Sequence, residues 1–482
     1  MPNTFAYLML LAWPIVTIVL FRMLSHERAL IWTLLGGYLL LPPVAAFDLP
    51  LVPPLDKTSI PNLVAATAIV LVAGPRLRRL RLSLAERVLL AIFVVSPLAT
   101  VIGNPEAISL GSGRELPGLS LHDSFSMIAN QLIFLIPYFL GRQLLATPEA
   151  QRDLLLALAI AGLAYSLPML LEVRLSPQLN VWIYGFFQHS FEQMMRAGGY
   201  RPIVFLPHGL HVAFFAFTVL LAVLGLWRAA AGEARLAWFC AAVYVAVVLV
   251  LCKSYASLAY ALVLAPVVAF AGRRRQLTIA AALALLVLSY PLLRGADLVP
   301  TDFAVEQAAQ LNTDRAGSLQ FRFDNEESLL AHAEEKPLFG WGGWGRNQLY
   351  DETGRMVSVT DGRWIIVIGV SGWLGFIAEF GLLCLALLSL RRSAGAVAAA
   401  RLSPFIGVIA LIQAANLVDL IPNSSLIPLT WLIAGALVGY ARALRAAPVA
   451  ALDGEGAHAG SSLRAPAARS RVLAPGRPYP IN

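Results

Sequence analysis

The sequence predicts an all-α fold, a polytopic bundle of about 12–14 transmembrane helices with one large loop outside the hydrocarbon. Three observations predict it. Hydrophobic residues make up 58% of the chain and charged ones only 13%, with a mean hydropathy of +0.72, whereas soluble domains carry about a quarter charged residues. Apolar runs of about 15–25 residues recur, each long enough or nearly so to cross about 30 Å of hydrocarbon as a helix. Arginine and lysine gather in alternate connections between those runs.

Thirteen runs stand out, near 4–21, 29–47, 60–74, 88–103, 126–141, 153–171, 208–227, 236–252, 255–271, 277–293, 364–390, 402–420 and 426–443. The first lacks a basic leader and a small-residue cleavage site, so it reads as a retained span. Short connections near 22–28, 75–87, 142–152, 228–235, 273–275 and 391–401 hold 2, 5, 2, 2, 3 and 3 Lys/Arg, while those near 48–59, 104–125 and 252–254 hold one each. The asymmetry places the first set on the cytoplasmic side. The loops 172–207 and 294–363 then fall outside, and the net charge of +8 is a topology signal, with no nucleic-acid partner implied. Residues 1–293 and 364–446 form the membrane part, and 447–482, rich in Ala, Pro, Gly, Ser and Arg, read as a disordered cytoplasmic tail. Cys240, Cys252 and Cys384 offer neither metal spacing nor a disulfide framework.

The polar island from Arg294 to Arg363 carries twelve of the 28 acidic and seven of the 36 basic residues. It contains Arg322-Phe-Asp-Asn-Glu326, His332, the run Pro337-Leu-Phe-Gly-Trp-Gly-Gly-Trp-Gly345 and Thr360-Asp-Gly-Arg-Trp364. Its stretch 318–335 suggests a short helix lying on the bilayer. The other outer loop carries Glu172, then Arg196-Ala-Gly-Gly-Tyr-Arg-Pro202 and Pro207-His-Gly-Leu-His211, with His208 and His211 spaced to share a helix face. Guanidinium groups bind phosphate oxygens in a fork that lysine cannot copy, and indole faces can stack on sugar rings. The plainer readings stand beside these: Trp341, Trp344 and Trp364 as interfacial aromatics, His332 as a surface histidine, and Asp361 as a helix N-cap. His208 and His211 have no third ligand at metal spacing.

The order Arg322, Pro337-Leu-Phe-Gly340-Trp-Gly342, then Asp361-Gly-Arg-Trp-Ile with Gly372 and Gly375 in the following span resembles the O-antigen ligase and polymerase superfamily. Gly-Gly-Tyr-Arg201-Pro resembles that superfamily's other outer-loop arginine. The resemblance covers roughly residues 125–390. Where the ligases have His-Asn, this chain has Asp361-Gly362, which leans the reading toward a polysaccharide polymerase.

The resemblance implies a GT-C-like, multi-span glycosyltransferase of the bacterial inner membrane, with its active loops on the periplasmic side. The donor would be an undecaprenyl-pyrophosphate-linked glycan and the acceptor a glycan or lipid, with inversion at the anomeric carbon and neither cofactor nor metal. Membrane lipids, a chain-length regulator and a flippase are the further partners implied. Arg201 and Arg322 would hold the pyrophosphate and Asp361 would act on the acceptor side. Arg196, His208, His211, His332, Trp341, Trp344 and Arg363 are candidate substrate contacts. The rivals are a ligase and a lipid-linked oligosaccharide flippase. For the flippase, Glu379 and Asp419 within spans would be the ionisable groups that transporters keep near the midplane, and Gln413 and Asn416 equally suit interhelical hydrogen bonds.

Overall fold

Each of the thirteen apolar runs holds a helix in the computed structural model, which describes all residues except 50–51, 74–79, 111–112, 197, 312 and 447–482. The tail, and Arg76, Arg78 and Arg79 of the arginine-rich connection, therefore lie outside the described residues. Residues Met1–Leu444 form one unit.

The chain opens with α1 (Thr4–Met23), capped by the Asn3 side chain, and α2 (His26–Leu40), capped by Ser25. α2 stops well short of the expected residue 47, because Pro42 and Pro43 cannot continue a helix. α3 (Ser59–Ala73) and α4 (Leu84–Ile102) follow, α4 opening on a Ser83–Glu86 capping box. A two-residue hairpin, β1 (Ile108–Ser109) with β2 (Glu115–Leu116), leads into α5 (Leu121–Leu144) and α6 (Pro148–Leu175). The short α7 (Leu179–Tyr184) and a second hairpin, β3 (Met195–Arg196) with β4 (Gly199–Tyr200), precede α8 (Gly209–Ala229). α9 (Gly232–Leu251), α10 (Tyr255–Phe270) and α11 (Arg273–Gly295) come next. The polar island holds α12 (Thr301–Leu311) and α13 (Thr313–Glu334), and α14 (Arg363–Gly395), α15 (Ile406–Asp419) and α16 (Pro428–Ala446) close the bundle.

Eight of these helices are long and apolar enough to cross a membrane: α1, α4, α5, α6, α8, α9, α11 and α14. The chain is thus an all-α, multi-pass membrane protein, but with fewer full-length spans than thirteen among the described residues. For four of the other five the difference is one of length, and the fifth, α16, has 19 residues but carries Arg442 and Arg445 in its last turns. α2, α3, α10 and α15 have 15, 15, 16 and 14 residues, about 21–24 Å at 1.5 Å per residue, short of the hydrocarbon thickness. α15 is almost wholly buried, so its ends meet protein. α8, in the middle of the bundle, packs on α6, α9 and α10, while α14 packs on α4, α11 and α13. The expected surface helix at 318–335 is α13, and it lies against α12 and α14.

Contacts sort the connections into two ends. At one, Arg28 pairs with Asp153, Arg142 and Arg442 both donate to the Arg81 carbonyl, Arg228 donates to that of Ala271, and Arg274 to that of Val397. At the other, Asn3 bonds Ile183, Lys57 bonds Phe205, Lys253 bonds Arg196, and Lys336 bonds Glu106. The arginine-rich connections share one end, and both large loops share the other.

Among the described residues, α14 is the one helix broken in mid-course. At Gly372 the backbone turns to φ 66°, ψ −171°, a conformation open only to glycine. The Pro337–Gly342 run fills the gap. Trp341 and Gly342 donate to the carbonyls of Gly369 and Val370 at 2.8 and 3.0 Å, and Trp373 and Leu374 donate to those of Pro337 and Leu338 at 2.8 and 3.3 Å. A break in a spanning helix is tolerable only when its freed groups find partners. Here a loop supplies them.

Candidate active site

The first arm of the site is the segment between α7 and α8. Its core, Ile203–Leu206, is clasped by four buried or half-buried side chains from separate places. Glu172, in the last turn of α6, accepts the N–H groups of Ile203 and Val204 at 2.8 and 2.7 Å and that of Leu179 at 3.0 Å. Tyr165 accepts from Phe205 N at 3.1 Å. Lys57 Nζ donates to the Phe205 carbonyl at 2.9 Å, and Gln188 to those of Val204 and Leu206 at 2.9 and 3.1 Å. Burial pushes the Lys57 ammonium down to about 7. Val204 sits at φ +50°, a left-handed conformation costly for a β-branched residue and sustained only where the surroundings over-determine it.

This clasp fixes what flanks it. Arg201 is only 7% exposed; one guanidinium nitrogen donates to the Lys253 carbonyl at 2.9 Å and Nε has no protein partner. Gly209 lets the arginine stem pass, since a Cβ there would stand 2.3 Å from Arg201 Cδ. No carboxylate lies within ion-pair reach of Arg201 among the described residues, and burial, then the neighbouring Arg196, pull its pKa down to about 10. Uncompensated buried charge is expensive, so such a guanidinium is prepared for an anion. His208 is the N-cap of α8, its Nδ1 accepting from Leu210 N at 2.9 Å. It stands before the first turn that contains His211, so the two do not form a stripe on one helix face. Burial above all, then His189, Arg201, His211 and Arg322, hold the His208 imidazole down at about 3. The fields of both Arg201 and Arg322 thus meet at one neutral ring.

The second arm is Arg322 on α13 with Asp361. Arg322 Nε lies 3.3 Å from Asp361 Oδ2, both side chains about a third exposed (35% and 38%). The N-cap of α14 is Gly362, without a side-chain cap. Asp361 is therefore not the capping residue, and its carboxylate is held by Arg322 instead. The pair lines a cavity of about 200 Å³ with Tyr290, Glu326 and Pro422. Glu326, one turn beyond Arg322 on α13, accepts from the Tyr290 hydroxyl at 3.2 Å, and burial raises its pKa. Sequence reasoning passed over Glu326. The i,i+4 spacing from Arg322 is the signal that could have found it.

The other candidates are distributed differently. His332 lies ten residues after Arg322 on α13, about 15 Å along the axis. Its ring stacks on Trp341 at 4.6 Å and contacts Glu335 and the Arg346 carbonyl. Trp341 also donates to the His332 carbonyl at 2.8 Å and takes Lys336 Nζ against its ring at 4.5 Å. Arg346, 2% exposed, donates to the carbonyls of Trp341, Glu106 and Pro117. His332 and Trp341 thus belong to a clasp between this loop and the α4–α5 connection, away from Arg322–Asp361. Arg196 is exposed on β3, its carbonyl held by Lys253. Trp344 is 56% exposed, and Arg363 is paired bidentately with Glu379 at 2.7 and 2.6 Å. These last two line a second, larger cavity.

Compared with known proteins, the chain matches no family profile and no curated sequence.

Proposed function

We propose that the protein is a membrane glycosyltransferase that polymerises polyprenyl-pyrophosphate-linked glycan repeats on the outer face of the bacterial inner membrane. The observation that carries this reading is Arg201: a buried guanidinium with no carboxylate partner, sharing the neighbourhood of His208 with the guanidinium of Arg322. Two arginines converging beside apolar spans suit a lipid-borne diphosphate. In the reaction the acceptor hydroxyl attacks the anomeric carbon from the face opposite the lipid. The bond from that carbon to the pyrophosphate oxygen breaks, and its electron pair leaves with the polyprenyl pyrophosphate. Arg201 and Arg322 stabilise the charge that develops there. The acceptor proton passes to Asp361. Pyrophosphate competing for Arg322 loosens the 3.3 Å Arg322–Asp361 pair, so donor binding frees the base.

The broken α14 favours a second reading, a flippase, because discontinuous helices form transporter sites. Yet Gly369, Val370, Trp373 and Leu374, the residues beside the break, all bond the Pro337–Gly342 loop, which leaves them engaged with protein rather than cargo.

The test is transfer by purified, reconstituted protein using lipid-linked glycan extracted from the host. Arg201→Lys and Arg322→Lys should each lower transfer by about 30- to 1000-fold, the loss of about 2–4 kcal/mol of charge-assisted contact, with the protein still accumulating. Parental transfer by both variants would refute the reading; lipid translocation without transfer would favour the flippase.

A further inference from the structure

The 410 Å³ cavity beside α14 has no role in the donor chemistry above, and its chemistry differs from that of the arginine site. Phe93 of α4, Phe134 of α5 and Trp431 of α16 give it apolar walls; Asn130, Ser371 and Ser424 give it neutral polar groups. Arg363 and Glu379 also face it, paired with each other through two short hydrogen bonds, and the remaining guanidinium N–H groups and carboxylate lone pairs still seek polar partners. Its charge is therefore balanced, unlike the surroundings of Arg201. Trp344 lines it too, 56% exposed and held at φ +56°, a strained conformation that in a large residue points toward function.

Two strips of chain each run from the Arg322–Asp361 cavity to this one. Asp361 lines the first cavity and Arg363 the second, and the chain passes from Ile421 and Pro422 in the first to Ser424 and Leu426 in the second. The Arg363 N–H donates to the carbonyls of Leu420 and Asn423 at 2.9 and 3.2 Å, tying these two strips together.

We infer that this cavity is the acceptor subsite, holding one neutral sugar ring beside Asp361, with the apolar face of the ring on Trp344 and its hydroxyls toward Asn130, Ser424 and the Arg363–Glu379 pair. The inference rests on the transferase reading. A neutral polyhydroxyl ligand fits because, among the described residues, the only formal charges lining the cavity are Arg363 and Glu379, which cancel, whereas a pyrophosphate would meet a cation already paired. A polyprenyl tail would cover the ion pair and the polar side chains with hydrocarbon and leave them unsatisfied. The volume lies in the range of small-ligand pockets.

The experiment uses the full chain in lipid nanodiscs and, as probe, oligosaccharides released by mild acid from the host's surface polysaccharide. Three variants are compared. Trp344→Ala should raise the acceptor KM by about tenfold or more, with the donor KM within about twofold. Ser424→Trp, an exposed loop position, should block acceptor use by filling the cavity while the protein still accumulates. The change in tryptophan emission on titrating the oligosaccharide should be lost in Trp344→Phe, a readout independent of turnover. Arg322→Lys serves as the control on the parent reading, and should abolish transfer without removing this emission change. Unchanged acceptor KM in both Trp344→Ala and Ser424→Trp would overturn the subsite while leaving the transferase standing. So would an emission change produced by a C55 polyprenol and not by the oligosaccharide. Full transfer by Arg322→Lys would instead strike at the transferase reading itself.

Discussion

The two outer loops are fastened to the bundle in opposite ways. In the loop before α8, side chains hold backbone: Glu172, Tyr165, Lys57 and Gln188 reach in from four places to fix Ile203–Leu206. In the loop before α14, backbone chiefly holds backbone: Pro337–Gly342 docks on the broken helix at Gly369–Leu374 through four main-chain hydrogen bonds, with Thr100 and Asn104 of the α4 end taking the Phe339 and Gly340 carbonyls. The first arrangement buries an unpaired arginine and keeps its charge fixed. The second leaves Arg322 and Asp361 about a third exposed, where one partner can be exchanged for a ligand. The site thus joins a rigid cation to a cation that is free to change partners.

The largest effect expected from this difference is on the glycine-built side. A Cβ at Gly340, where φ is +70°, would lie 2.6–2.7 Å from backbone atoms of Val370, Ser371 and Gly372, and backbone cannot step aside. Gly340→Ala should prevent the folded protein from accumulating, as judged by size-exclusion chromatography in detergent. Gly343→Ala, three residues on, meets nothing within 4 Å and should accumulate as the parent does. If Gly340→Ala accumulates normally, the backbone-to-backbone docking is not what secures this loop.

Next in size is the exchangeable pair. Asp361 precedes the helix cap, and Gly362 takes that position, so Asp361→Asn removes the proposed base without removing a cap. Transfer should fall by about 10²- to 10⁴-fold, the usual contribution of a general base, with thermal stability within about 0.5 kcal/mol of the parent, as for a surface substitution. Parental transfer would move the base to the buried Glu326, whose raised pKa suits proton exchange.

The contrast also explains what was legible in the sequence. Thirteen helices were, because continuous apolar runs and the placement of arginine report directly on the lipid environment. The end of α2 was not, because Pro42, Pro43 and the residues to Phe47 continue apolar composition in non-helical backbone. The Pro-x-x-Gly-x-Gly and Gly-x-x-Gly runs were visible as glycines, whose meaning as two halves of one joint needed coordinates. The clasp around Val204 left no pattern, since its four side chains come from positions 57, 165, 172 and 188 and its strain falls on an ordinary valine. Trp341 and His332 attracted notice through residue type alone, and the structure spends them on each other.

On the side-chain-built loop, Glu172→Gln turns one acceptor into a donor facing N–H groups. Three backbone bonds depend on that carboxylate, so stability should drop by about 2–4 kcal/mol, in the range of one or two hydrogen bonds to a charged group. Thermal unfolding in detergent measures it. Transfer should fall as well, because Arg201 and His208 flank the released segment. A loss of transfer with unchanged stability would show that Glu172 acts on substrate rather than on backbone.

The smallest effect is a pH dependence. Folded His208 is held at about 3 by burial and by the charges of His189, Arg201, His211 and Arg322, while in the unfolded chain it takes the ordinary value near 6.5. Between those two values the unfolded chain binds a proton that the folded one refuses, so stability rises with pH. The contribution is fully present above about 6.5 and is lost as pH falls toward 3. His208→Asn keeps an N-cap oxygen for Leu210 N and removes the titration, so its stability should fall less than the parent's on going from pH 7 to pH 5. Equal slopes would mean that His208 titrates in the folded protein as it does in the unfolded chain, so that neither its burial nor the charges around it hold the ring neutral.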